Sequence, residues 1–320
     1  MTKRYTPIDL KGLKTYPLGE RKSKVSVSDF ASPWTAGKGI DSFFKRLPNI
    51  LAGEDLRSVI TAVASAYRRE KTVMMAMGAH VIKVGLSPVI IDLMERGVIS
   101  AIAMNGAGII HDLELAMTGQ TSEDVAASLG EGMFGMARET GEFLSEAIRR
   151  TEPEDLGLGE SVGKSIIEQR LPLREQSILA AGARLGLPVT IHVAMGTDII
   201  HMHPAFDPRS AGGASHRDFR TFASVVATLN GGVYLNVGSA VILPEVFLKA
   251  VTLVRNLGHD IGDFTTVNLD FIQHYRPLTN VVRRPTSQGG NGYSLVGHHE
   301  LMIPLIAAGV IEAISRTDGG

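Results

Sequence analysis

Thr72-Val-Met-Met-Ala-Met77 runs into Gly78-Ala-His-Val-Ile-Lys-Val-Gly85, and Val98-Ile-Ser-Ala-Ile-Ala-Met104 runs into Asn105-Gly-Ala-Gly108. These two stretches decide the fold. Each begins as an unbroken apolar run of strand length, which is the pattern of a strand covered on both faces. Each continues into a glycine-containing loop. Between them Ser87 and Pro88 read as an N-cap and first helical residue, opening a helix through Val89, Ile90, Leu93 and Met94. Gly97 stands where a helix stops, and Ile109 opens the next helix. Strand, loop, helix, strand, loop and helix make a βαβ unit with a loop at the carboxyl end of each strand.

The same alternation extends outward. Upstream, Glu54 to Arg69 places Leu56, Val59, Ile60, Val63 and Ala64 on one helical face. Downstream, a helix over Arg174–Arg184 ends at Gly186 before Pro188 and feeds a strand over Val189–Val193. A helix over Phe219–Leu229, a strand over Val233–Val237 and a helix over Glu245–Leu257 follow. Strands over Phe264–Leu269 and Tyr293–Val296 precede a closing helix over His299–Ile314. Buried strands alternating with helices predict an α/β protein with a doubly wound, mostly parallel, Rossmann-like sheet. We expect a single nucleotide-binding domain over residues 36–320, with a helical excursion near 118–165, where Gly, Glu and Ser are frequent. Residues 1–35 are polar and broken by Pro17 and Gly19, and read as an arm that wraps the body or a neighbouring subunit.

Charge narrows the partners. The 32 basic and 33 acidic residues nearly cancel, so no long-range field gathers nucleic acid or an anionic membrane. The chain has no cysteine, which removes disulfides, thiolate nucleophiles and zinc ribbons. No apolar run has the length of a signal peptide core or a membrane span, so a cytoplasmic protein is expected.

Glycines at strand ends let backbone N–H groups approach a phosphate, and the helix behind them favours negative charge. Gly78 to Gly85, Asn105 to Gly108 and Gly238-Ser239 are placed for such a crevice, though the same glycines also serve as plain tight turns. None forms a G-x-G-x-x-G fingerprint. Gly157-Leu-Gly-Glu-Ser-Val-Gly-Lys-Ser165 lacks the first glycine of a phosphate-binding P-loop, since Leu158 stands there; a capped helix start fits better. Asp198 follows the strand ending at Val193, where it suits either a cationic substrate or an N-cap. His201-x-His203 opens a metal-hydrolase alternative, two imidazoles on one face of a strand, with pocket-lining histidines as the plainer reading and no metal as the expectation. His111, Asp112 and Glu114 fall in the first turns of a helix. There the acids complement the helix dipole, and His111 is placed to work beside a nucleotide.

These strand-end motifs resemble deoxyhypusine synthase. The similarity runs from about Thr72 to Ala313 and is strongest over Gly78–Asp112. The resemblance implies NAD as cofactor. Gly78, Ala79, His80 and Gly85 stand for the family's first cofactor loop, and Asn105, Gly106, Ala107 and Gly108 for its second. Gly238 and Ser239 match its later glycine run, Asn268 and Asp270 a strand-end segment, and His298 its last loop. Asp198 resembles the carboxylate that contacts the spermidine amine. The departures matter more. The family carries an aminobutyl group on a C-terminal lysine, and no lysine follows Lys249 here. The family's Glu-Glu pair is Ile110-His111, and the histidine past its glycine run is absent from Val241–Glu245. The sequence therefore implies a relative without deoxyhypusine synthase activity, with an ornithine cyclodeaminase-type domain as a second resemblance. The expected protein is an NAD-dependent enzyme on a small amine or amino acid, with Asp198 holding the cation and His111 or His201 moving protons. A non-catalytic NAD-binding protein is the other alternative. By analogy a homo-oligomer, of tetramer size, is expected.

Overall fold

The structure, a computed structural model, describes residues 4–315. Six strands form one sheet: β1 (Val73–Met77), β2 (Ala101–Asn105), β3 (Val189–His192), β4 (Val233–Val237), β5 (Thr265–Asp270) and β6 (Asn291–Val296). Their order is β3-β2-β1-β4-β5-β6, and every neighbouring pair is parallel. This is the doubly wound, Rossmann-like α/β architecture. The chain moves outward from β1 to β3, then returns to lay β4 beside β1. Right-handed crossovers therefore leave to opposite faces at that junction and open a crevice over the carboxyl ends of β1 and β4.

Before the sheet come α1 (Ile40–Arg46) and α2 (Leu51–Arg68); between β1 and β2 lie α3 (His80–Lys83) and α4 (Ser87–Glu95). The long β2–β3 connection carries α5 (Gly106–Thr118), α6 (Val125–Leu129), α7 (Arg138–Arg150), α8 (Leu158–Glu168) and α9 (Ile178–Leu185). Then follow α10 (Pro208–Val226), α11 (Ile242–Asn256), α12 (Tyr275–Pro277), a π-helical turn at Leu278–Arg283, and α13 (His299–Ser315).

Alternate strand residues divide the core. Val73, Met75 and Met77 face one way with Ile102, Leu235 and Val267, against the apolar stripes of α2, α4 and α13. Met74, Ala76, Ala101 and Tyr234 face the other way, against Phe222 of α10 and Phe247 of α11. Tyr234 and Phe247 stack with ring centroids 3.6 Å apart. Both faces of the central strands are covered, which is why their sequence is apolar without alternation.

Several local expectations change. Ser87 is the first residue of α4 rather than its cap, and its buried hydroxyl has no partner. The segment after β1 folds as a helical turn, α3, instead of an open loop. No glycine turn follows β2. Asn105 ends the strand and caps α5 itself, its side chain accepting from the Gly108 N–H at 3.1 Å. The helix expected from Phe219 begins at Pro208. Asp112 does not serve its own helix: its carboxylate accepts from Ser177 Oγ at 2.5 Å and from the Ile178 and Leu179 N–H groups, capping α9. The start of α8, once comparable to a P-loop, is occupied by Asp218 of α10. That carboxylate accepts from Gly159 N at 3.0 Å and Ile191 N at 2.7 Å, so a carboxylate already takes the amide that a phosphate would need.

Residues 4–28 are exposed throughout, including Tyr5, Ile8, Leu10, Leu13 and Tyr16. The chain meets the body where Asn49 N donates to Asp29 O and Ser32 N to Arg46 O. Among the described residues no helix is long and apolar enough to cross a membrane.

Candidate active site

Above the β1–β4 junction the sheet ladder continues past the strands. Gly78 N donates to Val237 O at 2.9 Å, Gly238 N to Leu269 O at 3.0 Å and Gly297 N to Asp270 O at 3.2 Å. A methyl group on Gly78 would fall 2.3 Å from the Gly238 carbonyl oxygen, so only glycine lets the two loops touch. Gly238 also has φ +65°, a left-handed conformation that glycine adopts without strain. The His299 ring, at the start of α13, lies over Gly238. Its Nε2 is 3.3 Å from Leu269 O and 3.9 Å from Asp270 Oδ1, while its buried Nδ1 has no partner. Burial lowers the His299 pKa. His80 of α3 meets His299 with centroids 5.6 Å apart, and Phe271 stacks on the exposed His298 at 5.8 Å.

Gly78, His80, Gly238, Asp270 and His298 are thus gathered around one junction, with Ala79 between Gly78 and α3. Gly85 lies on the far side of α3. Ser239 and Asn268 turn inward instead. Asn268 Oδ1 accepts from Asn236 Nδ2 at 2.8 Å, Asn268 Nδ2 donates to Gln273 Oε1 at 3.0 Å, and Ser239 Oγ accepts from Leu243 N at 3.2 Å. They shape the turns from within.

A second group sits over β2 and β3. The Asp198 carboxylate rests on Gly106 at the N-terminus of α5, where a methyl would lie 2.0 Å from Oδ2. Burial raises the Asp198 pKa. Asp198 Oδ2 and His201 Nε2 are 3.9 Å apart, both buried and both without a hydrogen-bond partner. His201 Nδ1 accepts from the N–H groups of Gly196 at 3.1 Å and Asp198 at 3.3 Å. Two donors on Nδ1 require the proton to be on Nε2, facing the carboxylate.

His201 and His203 are not on a strand. His201 lies in a 3-10 turn, Ile199–Met202, and His203 ends it. Their rings diverge: His203 packs on Gly141 of α7 with Nδ1 accepting from Ala205 N. Among the described residues no three His, Cys, Asp or Glu side chains are grouped to hold a metal ion. His192 points into the core against Phe222, and burial lowers its pKa to about 4.

His111 of α5 completes the edge. Its Nδ1 is 2.6 Å from Thr121 Oγ1, which reaches Glu114 Oε2 at 2.5 Å. Sequence reasoning passed over Thr121, and it named His298 but gave no site role to its buried neighbour His299. Two cavities, of about 450 and 350 Å³, open at the amino edge of the sheet, beside Arg57 and Asp218. Their polar linings are largely self-satisfied: Arg57 alone donates to the carbonyls of Phe44, Leu47 and Pro48.

No protein-family model and no curated protein matches the chain. Solved structures do. ArgZ, an arginine dihydrolase of the ornithine-ammonia cycle in cyanobacteria, matches at TM-score 0.51 and 12% identity over 82% of this chain and 32% of its own. AgrE in ternary complex with ornithine and NAD+ matches at TM-score 0.53 and 14% identity, over 83% of this chain and 34% of AgrE. The chain therefore spans about a third of either. A protein from Entamoeba histolytica described as a deoxyhypusine synthase matches at TM-score 0.52 and 13% identity, over 89% of this chain and 97% of its own. At such identities the likeness is one of fold: this chain shares with them a doubly wound parallel α/β architecture.

Proposed function

We propose that the chain is an NAD-binding enzyme that oxidises a small amine or amino acid, without deoxyhypusine synthase activity. One observation carries the reading. The backbone crossing of Gly78 and Gly238 and the unpartnered buried atoms Asp198 Oδ2, His201 Nε2 and His299 Nδ1 all lie along the carboxyl edge of one parallel sheet. Buried acid–base groups without partners are costly unless a ligand completes them. AgrE, solved as a ternary complex with ornithine and NAD+, shares this fold over about a third of its own length and supports the choice of ligands.

The residues fit the cofactor. Gly78 and Gly238 bring two strand-end loops into backbone contact at the head of the crevice, beside which a bound pyrophosphate would lie. Ala79, His80, Asn105, Gly106, Ala107, Gly108, Ser239, Asn268, Asp270 and His298 would form the rest of the cradle, Ser239 and Asn268 by holding turn shape, while Gly85 would only close the α3 turn that carries His80. When bound, NAD supplies a hydride acceptor. Asp198 holds the substrate cation, with His201 Nε2 3.9 Å from its carboxylate, and His111 or His201 takes the proton. The exposed apolar side chains of residues 5–16 support assembly of copies through the arm.

The reading is tested by mass spectrometry of ligands released from the purified protein, followed by NAD titration. Bound nucleotide or a rise in melting temperature with NAD is expected. Neither NAD nor NADP shifting the melt at millimolar concentration would overturn it. Asp198→Ala should weaken ornithine or arginine binding and leave NAD affinity nearly unchanged.

A further inference from the structure

Two histidines on this edge compete for the proton-transfer role, and their hydrogen bonds separate them. The Thr121 hydroxyl has one proton, and Glu114 as a carboxylate only accepts. At 2.5 Å from Oε2, Thr121 must donate to Glu114. Its Oγ1 then accepts from the group 2.6 Å away, so His111 carries its hydrogen on Nδ1. Thr140 Oγ1 donates to the other Glu114 oxygen at 3.3 Å and holds the carboxylate in place. His111 Nε2 has no hydrogen bond to another described residue and is not among the sealed atoms. The chain of a carboxylate, an orienting group and an imidazole with a free nitrogen is the arrangement of an activated base.

We propose that His111 is the proton-transfer group of this site, and that Thr121 and Glu114 are its positioning residues, fixing the ring with Nδ1–H inward and Nε2 free. In the step, an N–H bond of the substrate ammonium breaks and its proton forms a bond to Nε2. The positive charge passes to the ring, where the Glu114 carboxylate offsets it through Thr121. Solvent then takes the proton from Nε2. His201 is unsuited: charging it would place a third N–H against the two donors already on Nδ1. Burial and the nearby Lys83 charge lower His111 to about 4, so the ring is neutral at neutral pH, holds the proton only in passing and gives it up to solvent readily.

The proposal rests on reading this edge as the active site, and its test separates the two. Long-range 1H–15N spectra of 15N-histidine-labelled full-length protein report each ring's tautomer without cofactor or substrate. His111→Gln assigns the signal. Wild type and Thr121→Ser should show a pyrrole-type Nδ1 and a pyridine-type Nε2, whereas Thr121→Val should shift the ring toward Nε2–H with little change in melting temperature. An Nε2–H tautomer in wild type, or the same tautomer in Thr121→Val, would overturn the relay. NADH formation from NAD and ornithine is the second readout. His111→Gln should lower it by about 100-fold or more and Thr121→Val by about tenfold, with Thr121→Ser close to wild type. Activity surviving in His111→Gln would also overturn the proposal. A wild type with the expected tautomer but no NAD binding would refute the proposed function instead.

Discussion

Replacing Asp112 by alanine tests the physics of the β2–β3 connection. This fully buried carboxyl accepts three hydrogen bonds at the start of α9, yet burial pushes its pKa up to about 6. Unfolded, it titrates near its ordinary value, about 4. A carboxyl with a raised folded pKa binds its proton more tightly in the folded chain. Its contribution to stability is therefore greatest below about pH 4, falls as pH rises to about 6, and is constant beyond. Two pK units correspond to about 3 kcal/mol, of which about 1 kcal/mol lies between pH 5 and 7.5. Alanine removes this titration and strands the Ile178 and Leu179 N–H groups, at about 1–3 kcal/mol each, partly offset by no longer burying the acid. Urea unfolding should show Asp112→Ala destabilised at both pH values, by about 1 kcal/mol more at pH 5. A penalty equal or larger at pH 7.5 would refute the reasoning. It would mean that three donors and a helix N-terminus outweigh burial and keep the anion favoured.

Gly238→Ala places a methyl 2.6 Å from His299 Cε1 on a left-handed backbone, and should lower the melting temperature and weaken NAD binding at least about tenfold by calorimetry. Unchanged affinity would move the cofactor away from this junction. Phe247→Ala, which removes the ring stacked on Tyr234, should cost about 3–5 kcal/mol in urea unfolding; a loss below about 1 kcal/mol would show that the stack contributes little. If copies assemble through the arm, tryptic cleavage between Lys11 and Lys24 should slow as protein concentration rises. A rate independent of concentration would count against that assembly.

The sheet was legible because its central strands are buried on both faces, and an apolar run such as Val73–Met77 has few other uses. Boundaries were less so. Nothing local distinguishes Asn105 as a loop residue from Asn105 as a cap placed directly on the strand's end. Ser87 looked like a cap by type, but the backbone puts it inside the helix. The roles of the buried acids were beyond local reading altogether. Asp112 caps a helix 65 residues further on, and Asp218 reaches back 59 residues to Gly159. The site was legible in part for the same reason. Glycines and histidines could be assigned to strand ends, but Thr121 reaches His111 across a connection whose path no periodicity encodes.

The ladder that runs one residue past β1, β4 and β6 bears on the energetics of occupancy. The Gly78, Gly238 and Gly297 amides are donated to neighbouring strand carbonyls. Loops tethered in this way lose little conformational freedom when a ligand arrives, so less of its interaction energy is spent on ordering the protein. Amide hydrogen exchange at these three glycines should accordingly be slow from the outset and change little on saturation, while the exposed tip carrying Phe271 and His298 takes up most of the added protection.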